Sequence, residues 1–176
     1  KMVGLSADFV ERFPHQLSGG QARRVGIARS LALSPKLLIA DEPTAGLDVS
    51  VQGEILNLLG QLREEYGISI LLISHNLSIV RHVADRMAIM YLGRLIEEGD
   101  TKTIFDNPRH PYSRALLQSV LVTDPNRTRN KFRLTGDVPG LFERPSGCHF
   151  HPRCPVVADR CRNEYPRAQN ISSRHW

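Results

Sequence analysis

Hydrophobic residues along the chain follow two patterns, short continuous runs and positions at helical spacing. Residues 37–40 and 68–73 are apolar runs of strand length, which predict two buried strands of a parallel sheet. Between them, apolar positions recur on one face of a helix that Gly67 ends, so we expect this helix to pack on the sheet. The residues of that face are Val51, Ile55, Leu58, Leu59 and Leu62.

The remaining patterns extend this α/β fold in both directions. Residues 22–32 predict a helix before the first strand, and residues 77–84 predict another after the second. Residues 86–91 and 94–97 read as two strands joined through Leu92 and Gly93, which predicts an antiparallel edge. Residues 112–122 indicate an amphipathic helix, and residues 123–135 have the polar composition of a linker. The expected architecture is a parallel sheet flanked by helices, with an antiparallel edge.

Composition and charge limit the function classes. Lys and Arg number 23 against 18 Asp and Glu, a formal net charge of +5 with histidine neutral. The basic residues gather on the first predicted helix and over residues 126–133, and we interpret these groups as a solvated face and a linker, not as a nucleic-acid interface. No apolar run reaches the roughly 20 residues that span a bilayer. Because natural chains start with Met, the start at Lys1 predicts a fragment.

A short polar stretch, Ser18-Gly19-Gly20-Gln21, opens the first predicted helix. Ser18 and Gln21 match the capping box, in which each side chain bonds the backbone N–H of the other residue. Gly19 and Gly20 lack a Cβ atom and let another backbone segment or a ligand come close. The positive end of the helix dipole lies here as well, so the stretch suits a phosphate group. A glycine-softened cap without a ligand is the alternative.

Acidic side chains and a histidine follow the two predicted strands. Asp41 and Glu42 end the first strand, and Pro43 disfavours the α region for Glu42, which predicts an extended residue with an aimed carboxylate. His75 follows the second strand, where a purely structural histidine is the alternative. Because parallel strands carry their chemistry at their carboxyl ends, these are candidate site residues. Asp48 is a candidate N-cap of the next helix.

In this order the motifs resemble the ATP-binding cassette family. Residues 17–21 are similar to its signature loop, residues 37–43 to its Walker B strand, residues 45–48 to its D-loop, and His75 to its switch histidine. The resemblance implies the C-terminal half of a P-loop nucleotide-binding domain, since no Gly-x-x-x-x-Gly-Lys-[Ser/Thr] loop occurs in the sequence. It also implies ATP and Mg²⁺ as ligands, and ATP hydrolysis by the full-length parent but not by the fragment alone.

The resemblance further implies a role for each matched residue. The position of Asp41 helps to hold Mg²⁺, that of Glu42 polarises the attacking water, and that of His75 bonds the γ-phosphate. Asp48 would contact a second ATPase subunit, a role that is compatible with capping. The signature loop would close over nucleotide held by that subunit, which is either a copy or a paralogue. The loop residues are Ser18, Gly19, Gly20 and Gln21.

Residues 106–117 and 145–155 resemble the C-terminal extension of dipeptide and oligopeptide importer ATPases, a group that includes nickel importers. The expected organisation is residues 1–100 as the second half of the nucleotide-binding domain and residues 101–176 as the extension. The implied protein lies on the cytoplasmic face of the membrane and works with permease subunits and, indirectly, with an extracytoplasmic peptide-binding protein. The alternatives are a cassette protein that acts on nucleic acid or the ribosome, and a truncated regulatory module.

Three cysteines, Cys148, Cys154 and Cys161, lie close together in the extension with the spacing Cys-x5-Cys-x6-Cys. A metal site, a disulfide and unrelated thiols in a small core are the alternatives, and a reducing cytoplasm disfavours the disulfide. The spacing is not the paired Cys-x2-Cys of zinc sites. Some peptide-importer ATPases hold a [4Fe–4S] cluster here with four cysteines, so the resemblance implies a fourth ligand just beyond Trp176. His149 and His151 are alternative ligands, or else plain surface residues.

Overall fold

The computed structural model describes residues 2–119 and 134–176. The chain forms two compact units, Lys1–Asn76 and Leu77–Trp176. The sequence predicts a different boundary, between residues 100 and 101, where the nucleotide-binding domain would end and the extension would begin. This boundary stays a prediction. None of the helices in the described ranges combines the length and the apolar character that a membrane crossing requires.

The first unit alternates helices and strands. Two short 3₁₀ helices at Ala7–Glu11 and Pro14–Gln16 precede the regular elements. The strands pair in parallel, with Leu37 opposite Ser69, so the predicted parallel pairing is confirmed. The helices and strands of this unit are α1 (Gly19–Leu31), β1 (Leu37–Asp41), α2 (Val49–Tyr66) and β2 (Ser69–Ile73).

Helix α2 supplies much of the core of the first unit. As predicted, Asp48 caps its start and Gly67 follows its end. The φ of Gly67 is 62°, in the left-handed conformation that suits glycine. The apolar face shares one cluster with Leu38 of β1. Full burial of one such side chain contributes about 1.5–3 kcal/mol. The buried residues of the predicted face are Ile55, Leu58, Leu59 and Leu62.

One face of the β1–β2 pair is exposed among the described residues of the first unit. Successive side chains point to opposite faces of a strand, and only the face with Leu38 joins the core cluster. The prediction of fully buried strands is therefore wrong for the other face, which we call the open sheet face. Its apolar residues, with their exposed fractions, are Leu37 (52%), Ile39 (60%), Leu71 (50%) and Ile73 (46%).

The second unit is built on a hairpin. Strands β3 (Arg86–Tyr91) and β4 (Arg94–Asp100) form the predicted antiparallel pair. Leu92 and Gly93 lie between them, and their φ values of 45° and 77° suit a two-residue turn. Among the described residues, β3 and β4 form one sheet and β1 and β2 form another. The predicted antiparallel pair is therefore present, but it is not hydrogen-bonded to the edge of the parallel sheet. The elements are α3 (Leu77–Val83), β3 (Arg86–Tyr91), β4 (Arg94–Asp100), α4 (Thr101–Asp106), α5 (Pro111–Gln118), a 3₁₀ helix (His151–Arg153) and α6 (Arg160–Asn163).

Helix α5 corresponds to the predicted helix over residues 112–122. It starts at Pro111 and ends at Gln118, and residues 120–133, including most of the predicted linker, lie outside the described residues. Aromatic contacts join residues far apart in the second unit: the centroid of the Phe150 ring lies 5.3 Å from that of Tyr91 in the hairpin and 5.5 Å from that of Tyr112 in α5. Helix α5 is thereby packed with β3 in the core of the second unit.

Candidate functional site

The parallel pairing of β1 and β2 brings the two strand ends together, as the sequence predicted. Asp41 ends β1 and lies opposite Ile73, which ends β2. The Glu42 backbone N–H donates to the Ile73 carbonyl over 2.9 Å, so the pairing continues one residue beyond the strand. Glu42 and His75 therefore leave the same edge of the sheet, where parallel strands place their chemistry.

Glu42 and His75 are in direct contact. The Glu42 Oε1 atom accepts a hydrogen bond from the His75 backbone N–H at 3.0 Å and lies 2.7 Å from His75 Nδ1. The hydrogen bond from the His75 side chain lowers the pKa of Glu42, against a smaller opposing effect of burial. An ionised carboxylate only accepts hydrogen bonds, so the ring carries a proton on Nδ1. The His75 side chain is 83% exposed, which leaves the ring accessible to a ligand.

The backbone of Glu42 differs from the prediction of an extended residue. Its φ is 44°, in the left-handed region, which costs a residue with a Cβ atom of order 1–3 kcal/mol. Three contacts hold it there: Ile73 accepts from its N–H, the Ala45 N–H donates to its carbonyl over 3.1 Å, and His75 binds its side chain. Pro43 disfavours the right-handed α region, and these contacts select the left-handed turn instead of the extended one.

Asp41 supplies a second carboxylate at this strand end. In nucleotide sites Mg²⁺ is held by one or two carboxylates, while water and phosphate oxygens complete its octahedron. Asp41 fits that requirement, because such a site needs no cage of protein ligands. Over residues 2–119 and 134–176 there is no group of three His, Cys, Asp or Glu side chains arranged for a metal ion, so Asp41 is not part of a preformed cage.

The predicted capping box at the start of α1 is confirmed. The Gln21 N–H donates to Ser18 Oγ at 3.3 Å, and the Ser18 N–H donates to Gln21 Oε1 at 2.9 Å. The two glycines between them are the first residues of α1, and side chains of the same unit, Leu47 and Val51, lie against them. The groups that come close to these glycines in the described residues are thus side chains of the chain itself, whereas the sequence predicted a backbone segment or a ligand.

Asp48 is the N-cap of α2, as predicted. Its Oδ1 atom accepts from the Ser50 hydroxyl at 2.6 Å and from the Val51 N–H at 2.9 Å. The hydrogen bond from the Ser50 hydroxyl, followed by that from the Val51 N–H, lowers the pKa of Asp48. The carboxylate is thus held ionised at the N-terminus of α2, where the helix dipole favours negative charge. Its contact with a second subunit stays a prediction.

The second unit contains a buried carboxylate that the sequence analysis missed. Glu97 on β4 is 1% exposed, accepts from the backbone N–H groups of Arg109 at 2.8 Å and His110 at 3.0 Å, and lies 2.8 Å from His175 Nε2. Burial raises the pKa of Glu97, but these hydrogen bonds and the Ser113 hydroxyl outweigh it and hold the pKa below its ordinary value. The sequence signal that could have indicated this site is that Glu97 is a charged residue at a position of a predicted strand whose side chain points into the core.

The three cysteines are free, partly buried thiols of the second unit. The Cys148 N–H donates to the Cys161 carbonyl at 2.8 Å. Burial is the main cause that raises the pKa of Cys148, and the neighbouring thiols of Cys161 and Cys154 add to it. Because a [4Fe–4S] cluster uses four cysteine ligands, these three thiols by themselves do not fit a complete cluster. The cluster implied by the resemblance stays a prediction for the full-length parent.

Known families and proteins match both parts of the sequence. Residues 1–45 match the family described as ABC transporter, and residues 96–161 match that described as oligopeptide/dipeptide transporter, C-terminal region. The chain is 48% identical to the dipeptide transport ATP-binding protein DppF of Haemophilus influenzae, over 95% of this chain and 51% of that protein. It is 45% identical to the oligopeptide transport ATP-binding protein OppF of Escherichia coli, over 98% of this chain and 52% of that protein. The chain thus spans about half the length of the curated relatives it matches.

Two solved structures similar to this chain are ATP-binding cassettes. A component of the ABC transporter complex cbiONQ from Clostridium perfringens is 40% identical with a TM-score of 0.55, over 60% of this chain and 42% of that chain. A dimeric cassette in a post-hydrolysis state, bound to ADP and phosphate, is 36% identical with a TM-score of 0.50. The match covers 57% of this chain and 43% of that chain. The predicted α/β fold class is confirmed.

Proposed function

Because the chain belongs to the ATP-binding cassette family and carries the C-terminal region of oligopeptide/dipeptide transporters, we propose that it is part of an ATPase subunit that energises peptide import across the cytoplasmic membrane. The names of the relatives support dipeptides and oligopeptides as the transported class. The proposal concerns the full-length protein, since the chain spans about half of those relatives. The observation that carries it is the Glu42–His75 contact at the ends of two paired parallel strands.

In this proposal Glu42 is the base for hydrolysis. The Glu42 carboxylate, whose pKa is lowered by the hydrogen bond from His75, is ionised at neutral pH and can orient and polarise the water that attacks the γ-phosphate. A positioned base of this kind contributes about 10²–10⁴-fold to the rate. His75 holds the carboxylate through Nδ1. A phosphate oxygen bonded by Nε2 would be a second acceptor beside the Glu42 carboxylate at Nδ1. The ring must then carry a proton on each nitrogen to donate to both.

Asp41 is the proposed ligand of Mg²⁺. When bound, Mg²⁺ neutralises charge on the β- and γ-phosphates. Asp41 is one residue before Glu42 at the end of β1, and its backbone is fixed by the parallel pairing with Ile73. The strand therefore sets the spacing between the residue that binds the metal and the residue that takes the proton.

The open sheet face supports the proposal that residues 1–100 are half of a larger nucleotide-binding domain. Parallel sheets are ordinarily covered on both faces, whereas the residues at 37, 39, 71 and 73 are about half exposed. The N-terminal half of the full-length protein, with its phosphate-binding loop, is the proposed cover. Residues 101–176 are the proposed peptide-importer extension, which the match over residues 96–161 supports.

The proposed partners follow from the family. The loop Ser18-Gly19-Gly20-Gln21 closes over nucleotide held by a second ATPase subunit, and Asp48 contacts the same subunit. Permease subunits and, indirectly, an extracytoplasmic peptide-binding protein complete the importer, and the ATPase is peripheral on the cytoplasmic face. The names of the relatives support a transport partner and not a nucleic-acid partner.

ATP hydrolysis by the full-length protein tests the proposal. With Mg²⁺ present the wild type should hydrolyse ATP, and Glu42→Gln should lose about 10²–10⁴-fold in kcat while it still binds ATP as a stable dimer. Glu64→Gln, an exposed change on α2, is the matched control and should hydrolyse like the wild type. An inactive wild type, or an active Glu42→Gln variant, would contradict the site assignment.

The transported class needs its own measurement. In vesicles that contain the assembled importer, ATP hydrolysis and uptake should rise when the binding protein is loaded with a di- or oligopeptide. Nickel ions and RNA serve as the comparison ligands. Stimulation by nickel alone would move the proposal to metal import, and stimulation by RNA would favour the rival class of cassette proteins.

A further inference from the structure

Two helices of the first unit begin next to each other. Ser18 is the N-cap of α1, and Asp48 is the N-cap of α2. Helix α1 opens with two glycines, and neither has a positive φ, so backbone conformation gives no reason for glycine at these positions. The reason must lie in what surrounds them.

The space beside these glycines is filled by the start of α2. A Cβ atom on Gly20 would lie 2.6 Å from Val51 Cγ1, and one on Gly19 would lie 2.9 Å from Leu47 Cδ2. Both distances are shorter than real Cβ contacts, so a larger residue would displace the side chain that it meets. Leu47 Cδ2 is the end of a flexible side chain, whereas Val51 Cγ1 is bonded directly to the branched Cβ atom of a stiff side chain, so the contact at Gly20 resists displacement more strongly. By contrast, a Cβ atom on Gly26 of the same helix would meet nothing within 4 Å. The demand for glycine is therefore local to the first turn of α1.

Val51 joins the two caps through two kinds of contact. Its backbone N–H donates to the Asp48 carboxylate at 2.9 Å, while its side chain lies against Gly20. Gly20 is adjacent to Gln21, whose N–H donates to Ser18 Oγ. The contacts thus run without interruption from one cap residue to the other.

We propose that Val51 is a positioning residue that fixes the separation of Ser18 and Asp48, so that both residues meet the second ATPase subunit as one rigid surface. Leu47 supports the same spacing through Gly19. The inference rests on the proposed function, because it needs both cap residues to face that subunit. Van der Waals contact between close-packed groups resists both compression and gaps. A displacement of about 1 Å at a reacting site can cost 10²-fold in rate, so small changes at Val51 should reach ATP hydrolysis.

Three variants of the full-length protein in its transporter test this idea. Gly20→Ala should lower kcat by about 10- to 100-fold, because its methyl group meets Val51. Val51→Ala removes the obstructing Cγ1 atom, and the Cβ atoms at positions 20 and 51 would then lie 4.0 Å apart, an ordinary contact. The kcat of the double variant should therefore be about tenfold higher than that of Gly20→Ala.

Gly26→Ala is the matched control on α1. Its methyl group enters open space, so the activity should equal that of the wild type and the thermal unfolding midpoint should not fall. A purely structural role for the glycine contact would lower the unfolding midpoint of Gly20→Ala but leave kcat at 20 °C unchanged, and this result would overturn the proposal.

The double variant separates positioning from ligand contact. If Gly20 matters only because nucleotide approaches it, Val51→Ala will not rescue Gly20→Ala, and the proposal is wrong. A wild type without ATP hydrolysis would instead contradict the proposed function. In that case, thermal unfolding still tests the contact between Gly20 and Val51. The shifts in unfolding midpoint of the two single variants should not add up to the shift of the double variant, and additive shifts would overturn the proposed contact.

Discussion

The Glu97 carboxylate lies 2.8 Å from Nε2 of His175, 78 residues further along the chain, and both side chains are almost completely buried. Next to this pair, the backbones of Glu98 and Trp176 exchange two hydrogen bonds of 3.0 Å each. The last residues of the chain are thereby attached to β4. The same carboxylate accepts from two N–H groups that precede α5, so one side chain holds three parts of the second unit together.

Glu97→Gln should destabilise the second unit. Each carboxylate oxygen accepts from a donor, so a side-chain NH₂ group in either orientation would face another N–H group. Loss of such buried hydrogen bonds costs about 1–3 kcal/mol in the free energy of unfolding, which denaturant titration measures. Glu164→Gln, an exposed change in the same unit, is the control and should have no effect. Equal stability of both variants would show that the buried carboxylate is not needed.

The destabilisation by Glu97→Gln should depend on pH. The pKa of Glu97 is lowered in the folded protein, so its contribution to stability is present above the unfolded pKa of about 4.3 and is lost as the pH falls through the folded value. The difference in unfolding free energy between wild type and variant should therefore be constant near neutral pH and shrink below about pH 4.3. A difference that grows on acidification would contradict the assignment.

His75→Ala should raise the pKa of Glu42 toward its ordinary value. The hydrogen bond from the His75 side chain is the largest cause that lowers this pKa, and the variant removes it while keeping the backbone N–H contact. The ¹³C chemical shift of the Glu42 carboxyl group, followed against pH, measures the change. His82→Ala, at an exposed histidine of α3, is the control. An unchanged titration of Glu42 in His75→Ala would mean that the contact is absent in solution.

Substitutions of Asp48 should separate capping from contact with a second subunit. Asn caps helices about as well as Asp, so Asp48→Asn should leave stability nearly unchanged, whereas Asp48→Ala should cost about 1 kcal/mol. If the carboxylate also contacts the second subunit, Asp48→Asn should lower ATP hydrolysis of the full-length protein without lowering its stability. Normal hydrolysis by Asp48→Asn would limit this residue to its capping role.

Ser18→Arg should block closure of the proposed dimer. The substitution puts bulk at the N-cap of α1 and removes the oxygen that accepts from the Gln21 N–H, so nucleotide held by the second subunit can no longer approach. ATP-dependent dimerisation of the Glu42→Gln protein, followed by gel filtration, should be lost when Ser18→Arg is added. Ser30→Arg, at an exposed serine near the other end of α1, is the control and should dimerise normally.

Cys148 should react slowly with iodoacetamide in the folded protein. Burial raises its pKa, and the thiolate is the reactive form, so labelling near neutral pH should be slower than for a free cysteine. Mass spectrometry of labelled peptides measures the rate at each cysteine. Iron and acid-labile sulfide in the anaerobically purified full-length protein would show instead that a cluster protects the thiols.

Local sequence determined the elements and their caps. The Ser18–Gln21 capping box, the Asp48 cap of α2 and the left-handed end at Gly67 were all predictable, because each involves residues within a few positions of one another. The order of the strands also placed Glu42 and His75 at one sheet edge. These features depend on backbone hydrogen bonding and periodicity, which short segments of sequence encode.

Only the tertiary structure decided the remaining features. The left-handed φ of Glu42 is set by Ile73 and His75, which belong to another strand and its end. Likewise, the filled space beside Gly20 and the partner of Glu97 come from segments far away in the chain. A local pattern can report that a residue is glycine or that a charge points inward, but packing of distant segments determines which atoms it meets, and that packing depends on the whole chain at once.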